Sequence, residues 1–256
     1  MPYLSVRNLQ IYYETDGDPA APPLLLIHGS GGTGGSNWQP VRALLARHFF
    51  LLLPDCRGHG RTLAPRNEYT FSLLAADLAA FLGALGVAPA FVAGHSNGGN
   101  VALLLCAEQP QAVRRAVLMA ANAYPSPDLR RYALEDWSER IERDSPGWAG
   151  ELAAAHDPGR FPGYWRDLMR RTGYEIGRAP DFSPADLARI RTPALVIQGE
   201  RDPVNAPGGH ADFLYEHLAE ARLWLAAGLG HNVHRERPDE WARRVTAFLL
   251  NGASQS

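Results

Sequence analysis

Ala90-Phe91-Val92-Ala93-Gly94-His95-Ser96-Asn97-Gly98-Gly99-Asn100-Val101-Ala102-Leu103 is the stretch on which the reading of this chain turns. A short apolar run, Ala90 to Ala93, leads into Gly94-His95-Ser96-Asn97-Gly98, and a helical apolar run begins at Val101. A Gly-x-Ser-x-Gly turn between a strand and a helix sets a serine hydroxyl at the tip of a strained bend, and the flanking glycines make room for it. The helix that follows aims its first amides at charge developing there. The bare pattern is common, and a turn whose serine only caps the helix would also fit it. The strand–turn–helix setting is what favours a nucleophile.

Outward from this point the chain alternates. Leu9, Ile11 and Tyr13 alternate with polar residues as in a half-buried strand that ends at Asp16-Gly17-Asp18-Pro19. Leu24 to Ile27, Phe49 to Leu53, Val113 to Met119, Ala194 to Ile197 and Arg222 to Leu225 are nearly continuous apolar runs, as expected of parallel strands covered on both faces. Phe71 to Leu85, Val101 to Ala107, Ala211 to Leu218 and Pro238 to Leu249 have helical character and fill the crossovers. From about Pro125 to Ile190 no strand-like run occurs; Ser145-Pro146 and Ser183-Pro184 read as helix starts. Such a block between two parallel strands is most simply a helical lid over the sheet's C-terminal edge, where open α/β folds place ligands.

Composition removes several classes. The 256 residues, 46% of them hydrophobic, suit a large α/β domain rather than a disordered chain. A net charge of −2 argues against a nucleic-acid binder. All 25 basic residues are arginine, so chemistry that needs a lysine amine is excluded. Cys56 and Cys106 are too few for a disulfide framework or a cysteine-built zinc site. With no basic-then-apolar start and no apolar run of membrane-spanning length, a soluble cytoplasmic protein is expected.

A serine needs a base, and the base an orienting acid. Gln198-Gly199-Glu200-Arg201-Asp202-Pro203 follows one strand and Ala227-Gly228-Leu229-Gly230-His231-Asn232 the next, giving the order Ser96, Asp202, His231. Glu200 stays a rival acid and His234 a rival base, and an aspartate before proline also suits a plain turn. Leu24 to Ile27 runs into His28-Gly29-Ser30-Gly31-Gly32, a loop able to aim the N–H of Ser30, or of Gly31, at the elbow, with the Asn97 N–H as the second oxyanion donor. These glycines also suggest a phosphate loop; the missing lysine, and the lack of a helix directly after them, count against it.

Taken together, these motifs resemble those of the α/β-hydrolase superfamily, over essentially the whole chain. His28-Gly29 resembles the oxyanion-loop motif, and Asp55-Cys56-Arg57-Gly58-His59-Gly60-Arg61-Thr62 resembles the D-x-R-G-x-G-x-S signature, with Thr62 where serine is common. The expected fold is α/β: a mostly parallel central sheet of about eight strands, helices on both faces, and a helical lid inserted after the sixth strand. Residues 1–122 and 191–256 would form the core and 123–190 the cap.

Serine at the nucleophile position departs from the dehalogenase and epoxide-hydrolase branches, which need aspartate. Ser30 to Gly35 followed by Asn37-Trp38 is similar to hydrolases that cleave C–C bonds in ring-fission products. Those commonly carry asparagine before the serine and tryptophan after the histidine, where this chain has His95 and Asn232. Hydrolysis of a small carboxylic ester or lactone through an acyl-enzyme on Ser96 is expected. The alternatives are C–C hydrolysis of a ring-fission-type diketone and a small-molecule receptor on a hydrolase scaffold. No cofactor or metal is called for: His28, His59 and His95 sit in motif loops, and His48, His156, His210 and His217 lack ligand-like spacing. Gly31, Trp137, Trp165 and Asn232 are candidate substrate contacts for an apolar or aromatic molecule, although lid aromatics can equally be packing residues. Arg130, Arg131, Arg166 and Arg170 would either bind a carboxylate or form solvated helix faces. No nucleic-acid or membrane partner is expected, and the chain would be a monomer or homodimer.

Overall fold

Apolar runs with no solvent side become the inner strands of the sheet. The computed structural model describes residues 3–65 and 68–251; residues 1–2 and 252–256, the ends of the expected core segments, lie outside the described residues. β1 (Tyr3–Val6), β2 (Leu9–Asp16), β3 (Pro23–Ile27), β4 (Phe50–Pro54), β5 (Ala90–His95), β6 (Val113–Met119), β7 (Ala194–Gly199) and β8 (Ala221–Ala226) form one sheet in the order β1-β2-β4-β3-β5-β6-β7-β8. β2 pairs antiparallel with both β1 and β4, and β3 to β8 run parallel to one another. β1 escapes a reading by apolar runs because Val6 is its only buried residue. It forms through a two-residue turn at Arg7-Asn8, with Arg7 at φ 54, that pairs Val6 with Leu9.

The period of two along β3 divides the core. Leu24 and Leu26 face α1 (Gly34–Leu45) and α11 (Pro238–Asn251), packing in one cluster with Trp38, Val41, Trp241 and Val245. Leu25 and Ile27 join the opposite cluster with α2 (Phe71–Ala84) and α3 (Asn97–Glu108). α1 corrects one expectation: a helix does start directly behind the glycine loop, capped by Thr33 and Ser36 in a reciprocal pair. Glycines at its start and Pro40 inside it conceal the helical period. The missing lysine is then the remaining sequence argument against a phosphate loop.

From β3 the chain steps out to β4 and returns to β5 on the other side of β3. β3 and β5 stay paired up to Ile27 and Gly94, but the chain leaves their C-terminal ends in opposite directions, and a crevice opens between the two connections. Between β6 and β7 lie α4 (Pro127–Leu134), α5 (Trp137–Asp144), α6 (Pro146–His156), α7 (Tyr164–Ile176) and α8 (Pro184–Leu187), with no strand among the described residues. Ser126, Asp136 and Ser183 cap α4, α5 and α8. Ile141, Leu152, Trp165, Leu168 and Met169 give these helices a small core of their own. No helix of the described residues is long and apolar enough to cross a membrane.

Candidate active site

The elbow is forced by sterics. Ser96, at φ 55 and ψ −122, ends β5 and precedes α3, and its N–H is held by the Met119 carbonyl at 2.8 Å. The N–H groups of Gly99 and Asn100 bond back to the Ser96 carbonyl at 2.7 and 3.1 Å, winding the first turn of α3 onto the serine. A methyl on Gly94 would sit 2.0 Å from the Gly98 carbonyl oxygen, and one on Gly98 would sit 2.2 Å from that of Ile27. Both glycines therefore permit close approaches of main chain that no other residue allows. Such a backbone conformation costs on the order of 1–3 kcal/mol and persists because its surroundings over-determine it.

The acid and base loops interlock at β7 and β8. A methyl on Gly199 would lie 1.9 Å from the Gly230 carbonyl oxygen, so the two main chains touch there, and the Arg201 N–H donates to Leu229 O at 2.8 Å. His231 Nδ1 donates to Asp202 Oδ2 at 2.8 Å, which leaves Nε2 as the basic nitrogen. Asp202 is 1% exposed. It also accepts from Gln198 Nε2 at 2.9 Å and the Val204 N–H at 2.8 Å. Burial works against its charge, but the bonds from His231, Gln198 and Val204 prevail and hold the carboxyl below its usual range. Glu200 instead accepts the Gly228 N–H at 2.7 Å, bracing the base loop from outside. His234 is buried under α1, donates to Asn37 O at 3.0 Å, and burial pushes its pKa down to about 3.

His95 braces this assembly, a role not signalled by its place in the motif. Its Nδ1 lies 3.2 Å from Asn37 Oδ1 and its Nε2 3.3 Å from the carbonyl of His231. It thus packs between α1 and the main chain that carries the candidate base, and with one N–H when neutral it donates to one of these two oxygens at a time. Burial, with His234 and His231 beside it, holds its pKa well below the ordinary value, so the ring is neutral. Gln198, which steadies Asp202, also lacks a sequence signature beyond its place at the end of β7.

The oxyanion loop is tied down on two sides. His28 Nδ1 donates to Gly29 O at 2.9 Å while its Nε2 accepts the Cys56 N–H at 3.0 Å. The D-x-R-G-x-G segment is scaffold: Asp55 accepts the N–H groups of Gly34 and Arg61 at 3.0 and 2.9 Å, and Arg57 grips the buried Asp77 at 2.7 and 3.1 Å. From the cap, His156 accepts the Gly60 N–H at 2.9 Å and donates to Gly31 O at 3.0 Å. The Asn97 N–H, at the first position of α3, has no partner within its helix.

A cavity of about 630 Å³ joins these parts, a size suited to a small molecule. Ser96, His231, Ser30, Gly31, Asn97 and Asn232 line it, and Trp137 belongs to the apolar wall supplied by the cap. Trp165 does not reach it and is corrected: at 2% exposure it packs in the core of the cap against Leu168 and Met169. The four cap arginines singled out in the sequence are likewise off the cavity; Arg166 pairs with Glu142 and Arg170 with Asp136. The arginines on the cavity are Arg140, with Asp144 at 3.8 Å, and Arg235, bonded to Ser36 O at 2.9 Å. Among the described residues no group of three or more His, Cys, Asp or Glu could hold a metal ion.

Comparison with known proteins agrees with this architecture. The family described as the alpha/beta hydrolase fold matches residues 22–186. Human serine hydrolase BPHL is 29% identical, with 96% of this chain and 85% of that protein covered. Pyrrolizixenacetamide deacetylase of Xenorhabdus hominickii is 28% identical, covering 97% of both. The solved structure of the enol-lactonase from Burkholderia xenovorans LB400 superposes with a TM-score of 0.76 at 26% identity, covering 97% of this chain and 99% of that one. The chain belongs to the α/β-hydrolase fold family and is a hydrolase enzyme.

Proposed function

We propose that this enzyme hydrolyses a small carboxylic ester or lactone through an acyl-enzyme on Ser96. The observation that carries the reading is the shared cavity: Ser96, strained on its elbow, and His231, held by a buried Asp202, line the same space. Ser96 Oγ attacks the carbonyl carbon as His231 Nε2 takes its proton, and Asp202 keeps the imidazole in the tautomer that leaves Nε2 basic. The N–H groups of Ser30 and Asn97 receive the oxyanion. His231 then gives the proton to the leaving oxygen and draws one from the water that releases the acid. Residues 123–190 act as a cap whose Leu129, Trp137, Ile141, Trp148 and Ile176 favour an apolar or aromatic substrate. Similarity to the enol-lactonase lends the lactone side of this reading support.

The test is labelling with a fluorophosphonate, followed by intact mass and peptide mapping, with Ser96→Ala as control. One label per chain at Ser96, lost in the variant, is expected, together with turnover of aryl esters or lactones ahead of vinylogous diketones. Folded protein that takes no label and hydrolyses no ester would return the molecule to the receptor reading.

A further inference from the structure

The side chain of Ser30 is oriented by a directional series of asparagines beneath the nucleophile. The Asn122 N–H, which can only donate, bonds to Asn100 Oδ1 at 2.7 Å. Asn100 is therefore left with its Nδ2 toward Asn97, whose Oδ1 lies at 3.4 Å. Asn97 must then present its own Nδ2 to Ser30 Oγ, and the two are in close hydrogen-bond contact. Each amide orientation follows from the one before it, beginning at a main-chain group whose role is not open to choice. Asn100 is wholly buried and Asn97 nearly so, which keeps competing water from reversing the series.

The end of this series matters chemically. A hydroxyl that accepts from Asn97 keeps its own proton to give, and among the described residues it makes no hydrogen bond as a donor. Ser30 lines the cavity beside Ser96 and Asn97. The adjoining Gly29 is so near the nucleophile that a methyl on it would lie 3.2 Å from Ser96 Cβ. We propose that the Ser30 hydroxyl is a third, side-chain donor to the oxyanion formed on attack by Ser96, with Asn97 and Asn100 as the positioning residues that aim it. This rests on the acyl-enzyme reading above and extends its oxyanion hole from two main-chain donors to three. The donor serves the negatively charged oxygen rather than the neutral carbonyl, so its effect belongs to kcat and to tetrahedral adducts rather than to substrate binding.

The experiment compares wild type with Ser30→Ala, Ser30→Thr and Asn97→Ala, using p-nitrophenyl acetate turnover, inhibition by an aryl trifluoromethyl ketone, and fluorophosphonate labelling. Ser30→Ala is expected to lower kcat about 10²-fold with KM within twofold, and to weaken the ketone by a similar factor. Ser30→Thr, which keeps a hydroxyl, should recover most of the loss. Asn97→Ala keeps the donor but frees its rotation and should cost less than Ser30→Ala. A Ser30→Ala enzyme with kcat and ketone affinity within twofold of wild type, or one altered in KM alone, overturns the proposal. So does a larger loss in Asn97→Ala than in Ser30→Ala, which would make the pair a packing contact. If wild type neither labels at Ser96 nor turns over the ester, the acyl-enzyme reading fails first and takes this inference with it.

Discussion

The loops proposed to be catalytic and the helical block between β6 and β7, proposed as a cap, are held in place by opposite means. At the sheet's C-terminal edge the main chains approach one another directly, at Gly94 against Gly98, Gly98 against Ile27, and Gly199 against Gly230. The cap is held by long side chains that reach core carbonyls: His156 to Gly31, Arg160 to Thr62 at 2.6 Å, and Tyr164 to Gly58 at 3.0 Å. The first kind of contact tolerates no added atom. The second can be lost one bond at a time. Rigidity where reacting atoms must align, and replaceable fastening where substrate shape is read, is the lesson of the pair.

Four substitutions and one condition test that contrast, from the largest effect to the most gradual. Gly98→Ala should destabilise by more than about 4 kcal/mol or prevent folding, because main chain of β3 has to move. Urea unfolding measures it, and a change under 1 kcal/mol would show the loops to be more plastic than their contacts imply. Trp165→Ala should cost about 3–5 kcal/mol while the folded fraction keeps its KM. Trp137→Ala should do the reverse, raising KM for aryl esters with a smaller loss of stability; matching behaviour of the two would erase the division between cap core and cavity wall.

His156→Leu should cost about 1–3 kcal/mol, since the Gly60 N–H and Gly31 carbonyl lose their shared partner. An unchanged thermal midpoint would show that the cap does not depend on this clamp. The most gradual effect is a slope with pH. Burial lowers the His156 pKa from an ordinary 6.5 to about 4. A neutral-favouring fold is fully stabilised above the unfolded value and loses that stability as pH falls from about 6.5 toward 4, by roughly 1.4 kcal/mol per pH unit. Thermal melts across this window should therefore be shallower in His156→Leu than in wild type. Parallel curves would contradict the assignment.

The loops that carry the candidate residues were legible in the sequence for the same reason they are closely packed. A position that excludes every Cβ must be glycine, so Gly94, Gly98 and Gly199 mark the loops that carry Ser96 and Asp202. Strand runs such as Leu24 to Ile27 were equally plain, because burial on both faces leaves no polar interruption. β1 was hidden by its brevity and α1 by its glycines and Pro40.

The chain by itself determined the inner strands of the sheet, the order of the candidate residues Ser96, Asp202 and His231, and the presence of a helical insertion, since each depends on local pattern or on steric exclusion. Only the tertiary structure decided that Trp137 faces the cavity while Trp165 fills the core of the helical insertion, that Arg140 and Arg235 rather than Arg130, Arg131, Arg166 and Arg170 reach the site, and that His95, His156 and Gln198 brace it. These roles rest on single hydrogen bonds and packing contacts between residues remote in sequence. A long side chain can make such a contact from many positions, and nothing in its neighbours along the chain records which one it makes.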